Sequence, residues 1–195
     1  MLSDGVRFVS VAALWFMAAI IVGASGALQR VRPPAPQLIL IALTAALLVG
    51  WRFSRSFRQW LTAIDLRALV ALHLTRFVGL YFLLLCSRSE LPCSFARPAG
   101  WGDIVVATLA LVLLVCWKLV ATKRGWVGGW NALGLLDILL VVANAARHAM
   151  ANPASMAALV RLPLSLLPTF LVPLIIAGHF LIFVRLSIER QKPIR

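Results

Sequence analysis

Six long apolar runs, each about the length that crosses a bilayer, take up nearly all of this 195-residue chain. A helix rises about 1.5 Å per residue, so roughly 20 apolar residues match a hydrocarbon core of about 30 Å. Lipid offers no water to an unpaired backbone amide, and coiling into a helix satisfies those amides within the segment. The sequence therefore predicts an all-α integral membrane bundle of about six transmembrane helices, at about 7–28, 37–53, 67–86, 103–120, 130–148 and 166–185. With 62% hydrophobic and 13% charged residues, the chain lacks the polar surface of a soluble domain. The six runs leave no room for a soluble catalytic domain, so one membrane domain over 1–195 is expected.

Between the runs lie the punctuation marks. Arg30–Pro36 carries three prolines and forms a rigid turn after the first run. Val6–Gly23 has the look of a signal-peptide core, but the apolar run continues to about Leu28, and a retained first helix is the expectation. Segment 52–66 repeats Phe53, Phe57, Trp60, Leu61 and Ile64 at helical spacing, with Arg52, Arg55 and Arg58 largely on the other side. That pattern predicts an amphipathic helix in the headgroup plane, joining helices 2 and 3. Pro168 and Pro173 predict a kinked start to helix 6, Ser155–Leu162 a short surface helix stopped by Pro163, and Trp51, Trp101, Trp117 and Trp130 an aromatic belt at helix ends.

The net charge is +13, from 19 Lys and Arg against 6 Asp and Glu. The basic residues sit almost entirely between apolar runs, where they meet lipid headgroups, and no nucleic-acid motif accompanies them, so nucleic acid is not an expected partner. Twelve lie on one side of the alternating helices: Arg7, Arg52, Arg55, Arg58, Arg67, Lys118, Lys123, Arg124, Arg185, Arg190, Lys192 and Arg195. Six lie on the other: Arg30, Arg32, Arg88, Arg97, Arg147 and Arg161. The excess of positive charge on cytoplasmic loops puts both termini in the cytoplasm.

An ionisable group inside a membrane helix is costly and calls for a partner. With the helices alternating, His73 and Arg76 in helix 3, Asp137 in helix 5 and His179 in helix 6 fall at one depth. Arg76 and Asp137 would pair, and His73 and His179 could exchange protons near neutral pH. The same residues have a plainer reading, as ionic glue that fixes which helices pack together. A third reading makes His73 and His179 axial ligands of a b-type haem, with Gly79, Gly134 and Gly178 opening space for the macrocycle.

The linker after helix 3 holds Cys86, Glu90, Cys93, Arg97 and Asp103 on the expected outer side. A disulfide between Cys86 and Cys93 is possible in an oxidising compartment, while Cys116 is expected to be a buried free thiol. Asp103 falls where a helix N-cap belongs. Alternatively, Glu90, Arg97 and Asp103 form an outer-face pocket, joined by Asn144 and His148 from helix 5. Asp137, Asn144 and His148 also make a polar stripe on that helix. No HExxH, GxSxG, P-loop or dinucleotide fingerprint is present, and no metal-ligand spacing. No catalytic residue is expected.

The stretch His73-Leu-Thr-Arg76-Phe-Val-Gly79-Leu-Tyr81-Phe-Leu, followed by Glu90-Leu-Pro92, Phe95-Ala and Pro98-Ala-Gly100-Trp-Gly102-Asp103-Ile104, resembles a group of small uncharacterised multi-pass membrane proteins of bacteria. That resemblance spans helix 3, its linker and the start of helix 4. It implies a bacterial inner-membrane setting and carries no activity with it.

Three functions remain compatible with these residues. One is a non-enzymatic bundle that binds or moves a small solute or protons through the buried layer. The second is a haem b electron-transfer module. The third is an accessory subunit packed against other membrane subunits.

Overall fold

The computed structural model describes residues 2–120 and 124–190. Lys123, Lys192 and Arg195, which enter the charge asymmetry, lie outside them. Among the described residues, six helices are long and apolar enough to cross a membrane: Gly5–Ala24, Ala35–Phe53, Leu66–Ser87, Cys93–Val115, Arg124–Ala151 and Leu167–Ile188. The protein is an all-α polytopic membrane protein. Spans three to six form an inner bundle, in which each packs on the next in sequence. Span two lies against span six, and span one rests on the start of span six and on the surface helix Arg55–Ala63. Large apolar side chains such as Leu14, Leu38, Leu136 and Leu140 are exposed on the outside, as a lipid solvent allows.

Local chemistry explains several limits that differ from the sequence expectation. Span one ends at Ala24, because Gly26 turns the chain with φ of 68° before a short helix Ala27–Arg30. The surface helix is confined to Arg55–Ala63: Ser54 accepts the Phe57 amide at 3.2 Å at one end, and Asp65 accepts the Arg67 amide at 2.8 Å to start the next span. Phe57 and Trp60 of this helix pack on Phe8 of span one.

The fourth span begins at Cys93 and not at Asp103. Pro98 sits in its second turn, where it forfeits a single intrahelical bond, and Gly100 and Gly102 serve helix contact. The fifth span runs through Gly128-Gly129, beginning at Arg124. Trp130 is consequently inside it and 5% exposed, and its indole N–H donates to the Val106 carbonyl at 3.0 Å. Trp130 therefore leaves the expected belt. Trp101 is also mid-helix, with 60% exposure.

Span six opens with a wide π turn, Leu167–Leu171, before regular helix from Val172. Pro173 has no N–H to offer the Thr169 carbonyl four residues back, and the Trp15 indole of span one takes that carbonyl at 2.9 Å. Segment Pro153–Val160 is a 3-10 helix whose N-cap is Asn152. Cys116 is free but only half-buried.

Two apolar clusters fill the inner bundle. One gathers Phe82, Leu85, Phe95, Ala99, Ile138 and Ile175, with others from the same end. The second, at the opposite end, gathers Val70, Val106, Ala110, Trp130 and Ile182. Along spans three to five, the buried polar residue or residues lie between the members of one cluster and those of the other, and in span six His179 does so, while Thr169 lies among the first cluster.

Candidate functional site

That intervening layer is built from His73, Arg76, Asp103, Asn131, Asp137 and His179, all buried except Asp137, which is half-buried. Arg76 is the hub. Its Nε donates to Asp103 Oδ1 at 2.6 Å, one terminal nitrogen donates to the Gly134 carbonyl at 2.9 Å, and the other donates to Asp137 Oδ2. The guanidinium thus ties spans three, four and five together. One positive charge faces two carboxylates, so the assembly carries one formal negative charge in excess when both are ionised.

Glycines let these groups meet. A Cβ on Gly79 would collide with the Gly100 carbonyl, and one on Gly100 would stand 2.8 Å from the Gly79 carbonyl oxygen. The backbones of spans three and four therefore touch one turn from the Arg76–Asp103 pair. Gly102 leaves the room that the Asp137 carboxylate occupies.

His73 and His179 lie beside this hub with ring centroids 4.2 Å apart, and Trp130 packs edge-on against His73 at 5.0 Å. Asn131 donates to the His179 carbonyl at 2.9 Å, which turns its own carbonyl oxygen toward His179 Nδ1, 2.8 Å away. That orientation makes Nδ1–H the donor and leaves Nε2 with the lone pair. Neither His73 ring nitrogen, nor His179 Nε2, has a hydrogen-bond partner among the described residues. A Cβ on Gly134 would stand 2.7 Å from the His179 ring.

The haem reading does not fit this arrangement. Two iron–imidazole bonds of about 2 Å each already hold the ligating nitrogens about 4 Å apart, with the ring centres further still. Rings whose centres are 4.2 Å apart and tilted by 42° leave no place for an iron and its macrocycle. The glycines expected to make that space are spent on side-chain and backbone contact.

Third-span geometry sets this layer apart from an ordinary helix. Residues His73–Val78 form a 3-10 helix between α-helical Leu66–Leu72 and Gly79–Ser87. Both His73 and Arg76 are on that tighter segment, which is longer than such turns usually run.

The outer-face residues are dispersed. Asp103 is neither an N-cap nor a pocket residue, because the helix begins ten positions earlier and carries it inward to Arg76. Glu90 is exposed in a cleft beside the Cys86–Cys93 disulfide, opposite Ala154 and Ser155. Arg97 is exposed on span four. Asn144 accepts from Arg147, and His148 meets Ser94 at 2.9 Å through Nε2. Between Asp137 and Asn144 the fifth span presents only apolar residue types, so the stripe is not a continuous polar line. Asn131 is the member of the layer that the sequence did not single out, and Asp103 is the one it assigned to the outer face. Asn131 stands two turns before Ile138 on the buried face, and that periodicity was its available signal.

Residues 33–187 match the model of a family described as a domain of unknown function, DUF8737. The chain belongs to this family. The match covers every member of the polar layer and the whole of spans two to five. No curated protein and no solved structure matches the chain.

Proposed function

We propose that this protein is a non-enzymatic membrane bundle that binds and passes protons through the layer formed by His73, His179, Arg76, Asp103 and Asp137. One observation carries the reading. His73 is fully buried between apolar clusters, and neither of its ring nitrogens has a hydrogen-bond partner among the described residues, which costs about 1–3 kcal/mol for each unmet polar group. Structural glue has no use for such a residue, whereas a proton carrier needs nitrogens that are not already committed. The neighbouring His179 Nε2 likewise has no partner among the described residues, and a proton would pass from one ring to the other once a bridging water or a ring rotation brought their nitrogens within hydrogen-bond reach. The excess carboxylate charge next to them would compensate a transient imidazolium.

Access to either face would come from the 3-10 segment. Rewinding six residues from 3.0 to 3.6 per turn would rotate one end against the other by about 120° and shorten the segment by about 3 Å, which would turn His73 toward different neighbours within the layer. The twelve-to-six bias of basic residues supports both termini in the cytoplasm, and the disulfide at the other end suits an oxidising exterior. A bacterial inner membrane, with lipid as the immediate partner, fits both.

Purified protein in liposomes with an entrapped pH dye tests the reading. The expected result is dye acidification under an imposed potential above that of empty liposomes, abolished in Asp137→Asn. Wild-type flux equal to empty liposomes contradicts it. A second reading, as an accessory subunit of a larger complex, is favoured by one fact: the first two spans bury far fewer of their residues within the chain than the other four do. Co-purification at fixed stoichiometry with another membrane protein would support it.

A further inference from the structure

A cavity of about 400 Å³ opens at the disulfide end of the bundle, away from His73 and His179. Leu40, Phe82, Val141, Val142, Leu167 and Val172 form its shaft. Gln29, on the short helix after span one, Gln37, at the start of span two, and Arg161, on the segment before span six, line the cavity at or beyond the ends of these spans. Fifth-span lining runs from Val141 to Ala149, about 12 Å along the helix axis. The hollow thus descends from the headgroup region into hydrocarbon and is of the size that holds a small ligand.

Two groups define what enters it. Gln37 Oε1 is buried and has no hydrogen-bond donor among the described residues. Arg161 is exposed at the mouth and makes no ion pair among the described residues. An apolar shaft below a cation and an unmet acceptor is complementary to an amphiphile with an acidic, hydroxyl-bearing head. We propose that the cavity is a binding site for an anionic phospholipid: one acyl chain in the shaft, its phosphate at Arg161, and a headgroup hydroxyl donating to Gln37 Oε1. Lipid binding here is independent of proton movement through the histidine layer.

Delipidated full-length protein in detergent, titrated with phosphatidylglycerol, phosphatidylcholine or inorganic phosphate while its thermal unfolding is followed, tests the site. Phosphatidylglycerol should raise Tm saturably, with phosphatidylcholine weaker and phosphate without effect. Arg161→Ala should weaken apparent phosphatidylglycerol affinity by at least about tenfold and leave the phosphatidylcholine response unchanged. Gln37→Leu should reduce it less, and Ala145→Phe, which fills the shaft, should remove the saturable response. Should Ala145→Phe fail to fold, the two mouth variants still separate a built site from boundary lipid. Equal responses to both lipids in wild type, or a phosphatidylglycerol response untouched by Arg161→Ala and Gln37→Leu, would mean ordinary boundary lipid and overturn the site. A phosphate response equal to that of phosphatidylglycerol would replace the lipid by a free anion and overturn it equally.

Discussion

His73 and Arg76 stand one turn apart and live under opposite constraints. Arg76 spends its donors on Asp103, Asp137 and Gly134, and removing it would strand a buried carboxylate. Arg76→Leu should cost about 3–5 kcal/mol in chemical unfolding, with the Arg76→Leu, Asp103→Leu, Asp137→Leu triple variant recovering much of that loss. The two carboxylates should not be equivalent: the Asp103 side chain is 5% exposed and the Asp137 side chain 20%. Asp103→Asn should therefore destabilise more than Asp137→Asn, as the same unfolding measurement reads. Equal costs would contradict the asymmetry. At this scale His73, Arg76, Asp137 and His179 were legible, because an ionisable group within an apolar run stands out. Asp103 was misplaced for a physical reason: the proline and glycines before it imitate a loop, while in a membrane helix they are tolerated and even favoured for close packing.

At the scale of elements, span contacts depend on glycine where backbones touch and not elsewhere. Gly79→Ala should lower stability by about 1–3 kcal/mol through the forced separation of spans three and four. Gly129→Ala, where a Cβ meets nothing within 4 Å, should stabilise by up to about 1 kcal/mol. Thermal unfolding of the two variants side by side checks the contrast, and a similar loss in both would contradict it. Element existence and order were readable from the apolar runs. The 3-10 segment in span three was not, since no proline or glycine marks its beginning at His73. The π turn of span six was readable in outline from Pro168 and Pro173, but its satisfaction by Trp15 needed the tertiary fold.

For the whole molecule, orientation and function are tied to which end carries the basic residues. Arg185 donates to the carbonyls of Thr62 and of Ile64, the latter at 2.8 Å, and Arg67 lies over Trp117 at 5.4 Å. These contacts group the basic-rich end, and the disulfide is at the other. In intact cells, a membrane-impermeant maleimide should therefore modify Cys93 only after reduction, and a cysteine placed at Arg58 should stay unlabelled. The reverse pattern would invert the topology. The central claim, that the buried layer works on protons and does not merely hold the spans together, is tested most directly by His73→Leu, measured for unfolding and for proton flux in the same liposomes. Losing unpartnered ring nitrogens should leave the protein at least as stable as wild type while flux falls to the level of empty liposomes. A stable His73→Leu protein that conducts like wild type would contradict the account.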